Sequence, residues 1–276
     1  MLNRVLILTL AIAVLAGCGD ADPADPGKEK VVAGFYPLQF LAQRIGGDAV
    51  SVTNLAQPGA EPHDLELKPS QVTQIAEAGL VLYLKGFQPE LDEAVAQKTE
   101  GRSFDVTTAS PLVDGDPHIW LDPSRMATLA DAVGQQLGKP DAAAALRAEL
   151  TKLDAEFAAG LKNCRRHEIV TSHDAFGYLA ARYHLEEIPI TGITPEAEPT
   201  PQQLQEVKQK AQQTGATTIF FETLVSPAVA QTLAKEIGAK TAVLDPLEGL
   251  EAGGTEDYFS VMRTNLKTLQ EALGCS

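Results

Sequence analysis

From residue 31 onward, short apolar segments alternate with segments whose apolar residues recur every three or four positions. The first pattern predicts buried strands and the second predicts helices. The predicted strands are 31–35, 50–55, 80–84, 169–172, 188–191, 217–221 and 241–244. The predicted helices between them are 37–45, 70–78, 175–183, 201–214 and 227–237. Such alternation predicts an α/β fold in which helices cover mostly parallel sheets.

The centre of the sequence departs from this alternation. Residues 123–137 and 140–161 both have a helical pattern, and no strand pattern separates them. The second segment begins with Pro140, which suits a first helical position, and it carries one continuous apolar face. At about 1.5 Å per residue it is roughly 33 Å long, so it can reach both halves of the molecule.

The N-terminus has the pattern of a secretion signal. Arg4 precedes an apolar run over 5–17, which is shorter than the roughly 20 residues of a membrane-spanning helix. The run ends in Leu15-Ala16-Gly17-Cys18, which resembles a lipobox whose cysteine is lipidated. The alternative is an ordinary signal peptide followed by a chance cysteine. The lipobox interpretation predicts an extracytoplasmic protein that only a lipid on Cys18 holds to the membrane.

These patterns divide the chain into five segments. We expect two α/β lobes joined by one long rigid helix, with the site of function in the cleft between the lobes. The expected segments are a signal peptide at 1–17, a lipidated tether at 18–29, an N-terminal lobe at 30–139, a connecting helix at 140–163 and a C-terminal lobe at 164–276.

Two further cysteines, Cys164 and Cys275, remain after Cys18 is assigned to the lipid. Outside the cytoplasm, two remaining cysteines pair more often than they stay free. We therefore predict a Cys164–Cys275 disulfide that holds the C-terminal helix, with two buried thiols as the alternative.

The charge of the chain bears on its partners. Lys and Arg number 22 against 37 Asp and Glu, which gives a formal net charge of −15. A nucleic-acid partner is not expected, because phosphate binding needs a basic surface. The negative field favours cations instead.

Three of the five histidines lie where a strand or a turn ends. His63 follows the second strand in a proline-rich loop, His118 precedes a helix, and His173 directly follows a strand. A single loop histidine is more often a surface residue, so the argument depends on the set. Asp245 ends the last strand, and ligands of open α/β sheets bind beyond the carboxyl ends of strands. Three imidazoles and one carboxylate suit Zn²⁺.

The remaining histidines do not fit this set. His184 lies eleven residues after His173, which on a helix corresponds to about 16 Å, too far for one shared ion. His167 lies in a charged segment and is expected to be solvated.

These segments resemble the metal-binding solute-binding lipoproteins of ABC transporters, in particular the zinc-uptake branch. The resemblance extends from about Lys30 to Cys275, and its most specific segments are Glu61-Pro62-His63, His118-Ile119-Trp120-Leu121-Asp122-Pro123, Ser172-His173-Asp174-Ala175-Phe176-Gly177-Tyr178 and Asp245-Pro246-Leu247. It implies that His63, His118, His173 and Asp245 bind the metal. It also implies two α/β lobes joined by a long helix.

The resemblance also bears on the choice of metal. Members that bind manganese or iron tend to have glutamate at the third position, where this sequence has His173, so zinc is favoured. The sequence departs from the family in 107–116, which lacks the histidine-rich loop of many zinc-uptake members.

Glu222 is expected to orient a ligand imidazole or to serve as an ordinary capping or paired acid. Glu61 is an alternative oxygen ligand to Asp245.

The function expected from this resemblance is extracytoplasmic capture of Zn²⁺ by a non-enzymatic, monomeric binding protein. It would deliver zinc to an ABC permease driven by a separate ATPase subunit, because this chain contains no P-loop. A metallochaperone is a further partner to be tested. The alternatives are a manganese or iron binder of the same transport class, a zinc-dependent hydrolase and a surface adhesin.

Overall fold

The computed structural model describes residues 27–276. The predicted signal peptide and Cys18 lie outside these residues. Within them, no helix combines the length and apolar character needed to cross a membrane.

The first half of the described chain builds one four-stranded sheet. Its strands are β1 (Glu29–Ala33), β2 (Val50–Asn54), β3 (Leu80–Tyr83) and β4 (Ser103–Asp105), and its helices are α1 (Tyr36–Gly46), α2 (Pro69–Glu77), α3 (Pro89–Lys98) and α4 (Pro123–Gln136). The strands are parallel in the order β2-β1-β3-β4. Short 3-10 turns lie at Gly47–Ala49, Val106–Thr108 and Ile119–Leu121.

After helix α5 (Pro140–Gly160), the second half repeats this arrangement. Its strands are β5 (Glu168–Thr171), β6 (Glu186–Pro189), β7 (Thr218–Phe221) and β8 (Lys240–Val243), and its helices are α6 (Gly177–Tyr183), α7 (Pro201–Thr214), α8 (Ala228–Ile237) and α9 (Tyr258–Leu273). All pairs are again parallel, in the order β6-β5-β7-β8. The predicted fold of two parallel-sheet α/β lobes is confirmed.

Helix α5 contacts both halves, as its apolar periodicity predicts. The side chains of its predicted apolar face, including Leu150 and Phe157, are fully buried. The ring of Phe157 stacks on Tyr183 of α6 at 5.2 Å, and Asp154 accepts two hydrogen bonds from Arg182 at 2.9 and 2.7 Å. On its other side α5 packs against α4 and α1.

Helix α9 returns from the second half to the first. Tyr258 stacks on Phe40 of α1 at 5.2 Å, and its hydroxyl donates to the carbonyl oxygen of Trp120 at 2.7 Å. The predicted Cys164–Cys275 disulfide is confirmed and fastens the second residue after α9 to the segment before β5. One continuous apolar core therefore joins the two sheets.

The strands and helices predicted with bounds are found within two residues of those bounds, and the C-terminal helix, expected without bounds, is α9. Strand β4 and helix α3 were not predicted. Strand β4 has three half-buried residues at the edge of its sheet, so it has no apolar run. Helix α3 buries only Leu91, Ala94 and Val95, which gives a weak periodic signal. Helix α6 begins at Gly177, because Glu187 accepts hydrogen bonds from the backbone N–H groups of Ala175 and Phe176.

Candidate metal centre

The fold brings the three expected histidines together in the cleft between the sheets. His63 lies on the loop between β2 and α2, His118 precedes the turn before α4, and His173 follows β5. Their Nε2 atoms lie 3.2, 2.9 and 3.2 Å from one atom, Oε1 of Glu248. The four potential ligand atoms lie within 4.8 Å of one another. His118, His173 and Glu248 are at most 1% exposed.

Aromatic side chains surround the two histidines of the first half. The ring of Phe87 contacts His63 at 4.6 Å, and that of Trp120 contacts His118 at 5.2 Å, both edge to face. Trp120 is itself fixed, since its Nε1 donates to the carbonyl oxygen of Pro246 at 2.7 Å. These contacts hold the two imidazoles in position.

Asp245, the expected fourth ligand, does not reach this cluster. Its Oδ1 accepts from the backbone N–H of Leu247 at 2.7 Å, and its Oδ2 accepts from the Thr223 hydroxyl at 3.1 Å. These bonds form a turn in which Leu247 has φ of 57°. The turn directs Glu248, three residues later, toward the imidazoles. Asp245 therefore supports the residue that contacts the histidines, and Glu248 takes the position expected for Asp245.

Two carboxylates orient the imidazoles from behind. Oε1 of Glu222, directly after β7, lies 2.8 Å from Nδ1 of His173 and accepts from the Ser172 hydroxyl at 2.8 Å. Oδ1 of Asp116 lies 2.7 Å from Nδ1 of His118. With Nδ1 bound to a carboxylate, Nε2 is left to face Glu248. Sequence reasoning had singled out Glu222 but missed Asp116, whose only signal is its place two residues before a histidine.

Glu61 contributes to the position of His63. Its Oε1 accepts from the His63 backbone N–H at 2.8 Å. Glu61 does not belong to the histidine cluster, but it forms a second group with Glu222 and Glu248, in which carboxylate oxygens lie within 4.8 Å of one another. His167 and His184 are exposed and belong to neither group.

The electrostatics of the site follow from burial and from these contacts. Burial by itself lowers the pKa of His173, but its hydrogen bonds to Glu222 and Glu248 outweigh burial and raise the pKa to about 10. Burial by itself also lowers the pKa of His118, but its hydrogen bonds to Asp116 and Glu248 outweigh burial, so the pKa is raised. Burial raises the pKa of Glu248, but hydrogen bonds from the three imidazoles bring it well below its usual range.

Glu61 behaves differently because no cation lies beside it. Burial and the negative charge of Glu248 raise the pKa of Glu61 to about 9. Glu61 therefore holds a proton near neutral pH, whereas Glu248 is ionised. Three imidazole nitrogens and a carboxylate oxygen form the donor set that tetrahedral Zn²⁺ prefers.

Comparisons with known proteins agree with this description. The family described as "Zinc-uptake complex component A periplasmic" matches residues 31–272. The zinc-binding lipoprotein AdcA of Streptococcus pneumoniae (strain R6) is 32% identical over 97% of this chain. The chain spans only 60% of the length of that relative.

Two solved structures are also similar. The Zn(II)-bound ZnuA-like domain of Streptococcus pneumoniae AdcA has a TM-score of 0.76 and 34% identity, over 90% of this chain and 99% of that one. The laminin-binding protein of Streptococcus agalactiae, described as a bifunctional protein with adhesin and metal-transporting activity, has a TM-score of 0.82 and 31% identity. That match covers 89% of this chain and 99% of the other. Together with the match over 31–272, these similarities establish that the chain belongs to the zinc-uptake complex component A family.

Proposed function

We propose that this protein is the extracytoplasmic zinc-binding component of an ABC-type metal importer. It captures Zn²⁺ with His63, His118, His173 and Glu248 and delivers the ion to a membrane permease driven by an ATPase subunit. The observation that supports this proposal most directly is the approach of three imidazole Nε2 atoms to one buried carboxylate oxygen. Membership of the family and the zinc-bound relative agree with it.

The donor set favours capture over catalysis. A catalytic zinc site usually has three protein ligands and leaves the fourth position to water. Here Glu248 contacts all three imidazoles from the fourth position. With four protein ligands no position remains for an activated water, so zinc binding rather than hydrolysis is the expected activity.

The donor set also favours zinc over harder ions. Manganese and iron(II) sites usually contain more oxygen donors, whereas three imidazoles suit zinc. Two donors come from each half of the molecule, with His63 and His118 on loops of the first and His173 and Glu248 on the second. Because α5, α9 and the continuous core join the halves, we expect capture to move the loops of His63 and His118 more than the halves themselves.

The proposal is tested by metal analysis of the purified mature protein, followed by competition between zinc and manganese. Trp120 fluorescence reports binding, because its ring contacts His118. We expect one zinc per chain and preference for zinc over manganese. The His173→Ala variant should lose zinc, and the matched control His167→Ala, at an exposed histidine, should retain it. A preference for manganese, or equal zinc binding by both variants, would contradict the proposal.

Transport is tested in cells. A strain that lacks this protein should grow poorly in zinc-chelated medium, and the intact chain should restore growth and ⁶⁵Zn uptake. The His173→Ala chain should not restore them at equal abundance. Restoration by that variant would separate the metal site from transport and would oppose the proposed role.

The membrane attachment is a further part of the proposal. We propose that Cys18 carries the lipid and that 18–29 connects it to the folded part of the chain. The Cys18→Ser variant should appear in the soluble extracytoplasmic fraction and fail to incorporate labelled palmitate, whereas the unaltered chain remains with membranes. A membrane-bound, labelled Cys18→Ser protein would refute lipidation at this residue.

A further inference from the structure

A second group of carboxylates lies beside the histidine cluster. Glu61, Glu222 and Glu248 come from three separate segments: the loop after β2, the residue after β7 and the turn after β8. Each offers a carboxylate oxygen, and these oxygens lie within 4.8 Å of one another. Glu222 and Glu248 are 2% and 0% exposed.

In each of these carboxylates one oxygen is used and the other is not. Oε1 of Glu61 accepts from the His63 backbone, Oε1 of Glu222 contacts Ser172 and His173, and Oε1 of Glu248 contacts the three imidazoles. All three Oε2 atoms are buried and accept no hydrogen bond from an N–H or alcohol group of the described residues, so only a proton on Glu61 links Glu61 to Glu248. Buried polar atoms normally have a partner, because leaving one unsatisfied costs about 1–3 kcal/mol.

The neighbouring side chains do not neutralise this group. Within the described part of the chain, no Lys or Arg forms an ion pair with any of the three carboxylates. The imidazoles must be neutral to bind zinc, so they cannot balance the charge once the ion is bound. Glu61 holds a proton near neutral pH, because burial and the charge of Glu248 raise its pKa to about 9, so Zn²⁺ offsets the two remaining negative charges. The unpaired Oε2 atoms mark where a second cation would take the place of that proton.

The spacing of the oxygens fits a hard cation. Ions such as Mn²⁺ and Ca²⁺ bind oxygen at roughly 2.1–2.6 Å, so two ligands on opposite sides of one ion are about 4–5 Å apart. The three oxygens lie no farther apart than 4.8 Å, so one ion can contact all of them. The group contains only oxygen donors, which favours a hard divalent cation over zinc.

We propose that Glu61, Glu222 and Glu248 form a second cation position for a hard divalent ion, with Glu248 as the carboxylate shared by both positions. Oε1 of Glu248 serves the imidazole cluster, and its unpaired Oε2 serves the carboxylate group. This inference rests on the proposed function in so far as zinc occupies the imidazole cluster. It adds a second ion of a different chemical class, bound by oxygen alone.

The test uses Mn²⁺ as the probe, since it is a hard cation visible by EPR. The purified mature protein is loaded with zinc at a concentration that keeps one zinc per chain in every variant, and Mn²⁺ is then titrated. Zinc and manganese contents are measured in the same samples. We expect one Zn²⁺ and one Mn²⁺ per chain, and pulsed EPR of the bound Mn²⁺ should show no ¹⁴N coupling.

Variants distinguish this position from the acidic surface. Glu61→Gln should lower Mn²⁺ affinity at least tenfold, because an amide cannot lose a proton to become a charged ligand, while its oxygen can still accept from the His63 backbone. The matched control Glu251→Gln alters an exposed glutamate of the same half as Glu248 and should bind Mn²⁺ as the unaltered chain does.

Three results would overturn the inference. Equal Mn²⁺ binding by the unaltered chain and Glu61→Gln would indicate binding to the surface. Release of zinc together with ¹⁴N coupling would show that Mn²⁺ had replaced zinc among the imidazoles. No bound Mn²⁺ in zinc-loaded protein would show that the carboxylates share protons instead. Failure of the proposed function is separate, because it would appear as protein that binds no zinc before Mn²⁺ is added.

Discussion

The most informative perturbation compares Glu248 with Asp245, because sequence and structure assign the fourth zinc ligand differently. Glu248→Gln and Asp245→Asn each replace a carboxylate with an amide of the same shape, at a buried and a half-buried position respectively. Only Glu248 contacts the imidazoles, at 2.9–3.2 Å. Asp245 instead forms the turn through the backbone of Leu247. The two variants therefore separate loss of a ligand from loss of a nearby charge.

The expected magnitude follows from the four-ligand geometry. Apparent binding free energies of structural zinc sites are about 10–16 kcal/mol, so one ligand of four corresponds to roughly 2.5–4 kcal/mol, or about a hundredfold to a thousandfold in Kd. Part of this loss is offset in Glu248→Gln, because without the Glu248 charge the pKa of His173 falls and fewer protons compete with zinc. We therefore expect a loss near a hundredfold.

Asp245→Asn should change zinc affinity far less. The amide oxygen of Asn can still accept from the Leu247 N–H, so the turn that directs Glu248 is kept. Burial raises the pKa of Asp245 to about 6, so at pH 7.5 the carboxylate is ionised and the variant removes one negative charge. Glu248→Gln removes the same unit of charge, but Glu248 lies against the imidazoles and Asp245 lies outside their group. Because Coulomb attraction falls with distance, the loss of the Asp245 charge should raise Kd less.

The assay is competition for zinc against a chromophoric chelator at pH 7.5, with thermal unfolding to confirm that both variants are folded. The reasoning predicts a much larger rise in Kd for Glu248→Gln than for Asp245→Asn. A folded Asp245→Asn protein that loses as much affinity as Glu248→Gln, or more, would refute Glu248 as the ligand and favour Asp245.

Three further predictions concern the site and its scaffold. Replacing both Cys164 and Cys275 with Ser opens a loop of 111 residues and should lower the free energy of unfolding by about 4–5 kcal/mol. Urea denaturation measures this loss, and a value below about 1 kcal/mol would contradict the loop-entropy argument. Glu222→Gln should weaken zinc binding about 10- to 100-fold, because it weakens the orientation of His173, and unchanged affinity in chelator competition would assign Glu222 a purely structural role. Zinc affinity should rise with pH, because the ion must displace a proton from His173, whose pKa is raised to about 10. Between roughly pH 6.5 and 9 we expect the zinc affinity to rise about tenfold per pH unit for each proton displaced. Calorimetry in buffers of different ionisation enthalpy measures the proton release, and a zinc affinity that does not change with pH would contradict this prediction.

Much of the fold could be predicted because its signals are local. Strand β3 is a continuous apolar run, strand β7 is one after its first residue, and helix α5 carries its buried face at regular spacing. Proline in the first two positions of α1 to α5 and α7 marks where those helices begin. Elements without a local signal were missed, namely the three-residue edge strand β4 and the mostly polar helix α3.

The histidines of the site could be predicted for a related reason. His173 lies two residues after β5, and the carboxyl end of a parallel strand is where such sheets bind ligands. The fourth donor could not be predicted in this way. It depends on the turn from Asp245 to Glu248, in which Leu247 adopts a positive φ that nothing in its residue type indicates.

The sequence by itself determined the alternation of strands and helices, the disulfide partners and the three imidazoles, because these follow from residue type and local spacing. Only the tertiary structure decided which carboxylates surround those imidazoles. Glu248 instead of Asp245, Asp116 behind His118, and the group of Glu61, Glu222 and Glu248 all depend on loops that are distant in sequence. Their proximity results from packing two sheets through α5, α9 and one shared core, which no local pattern of residues specifies.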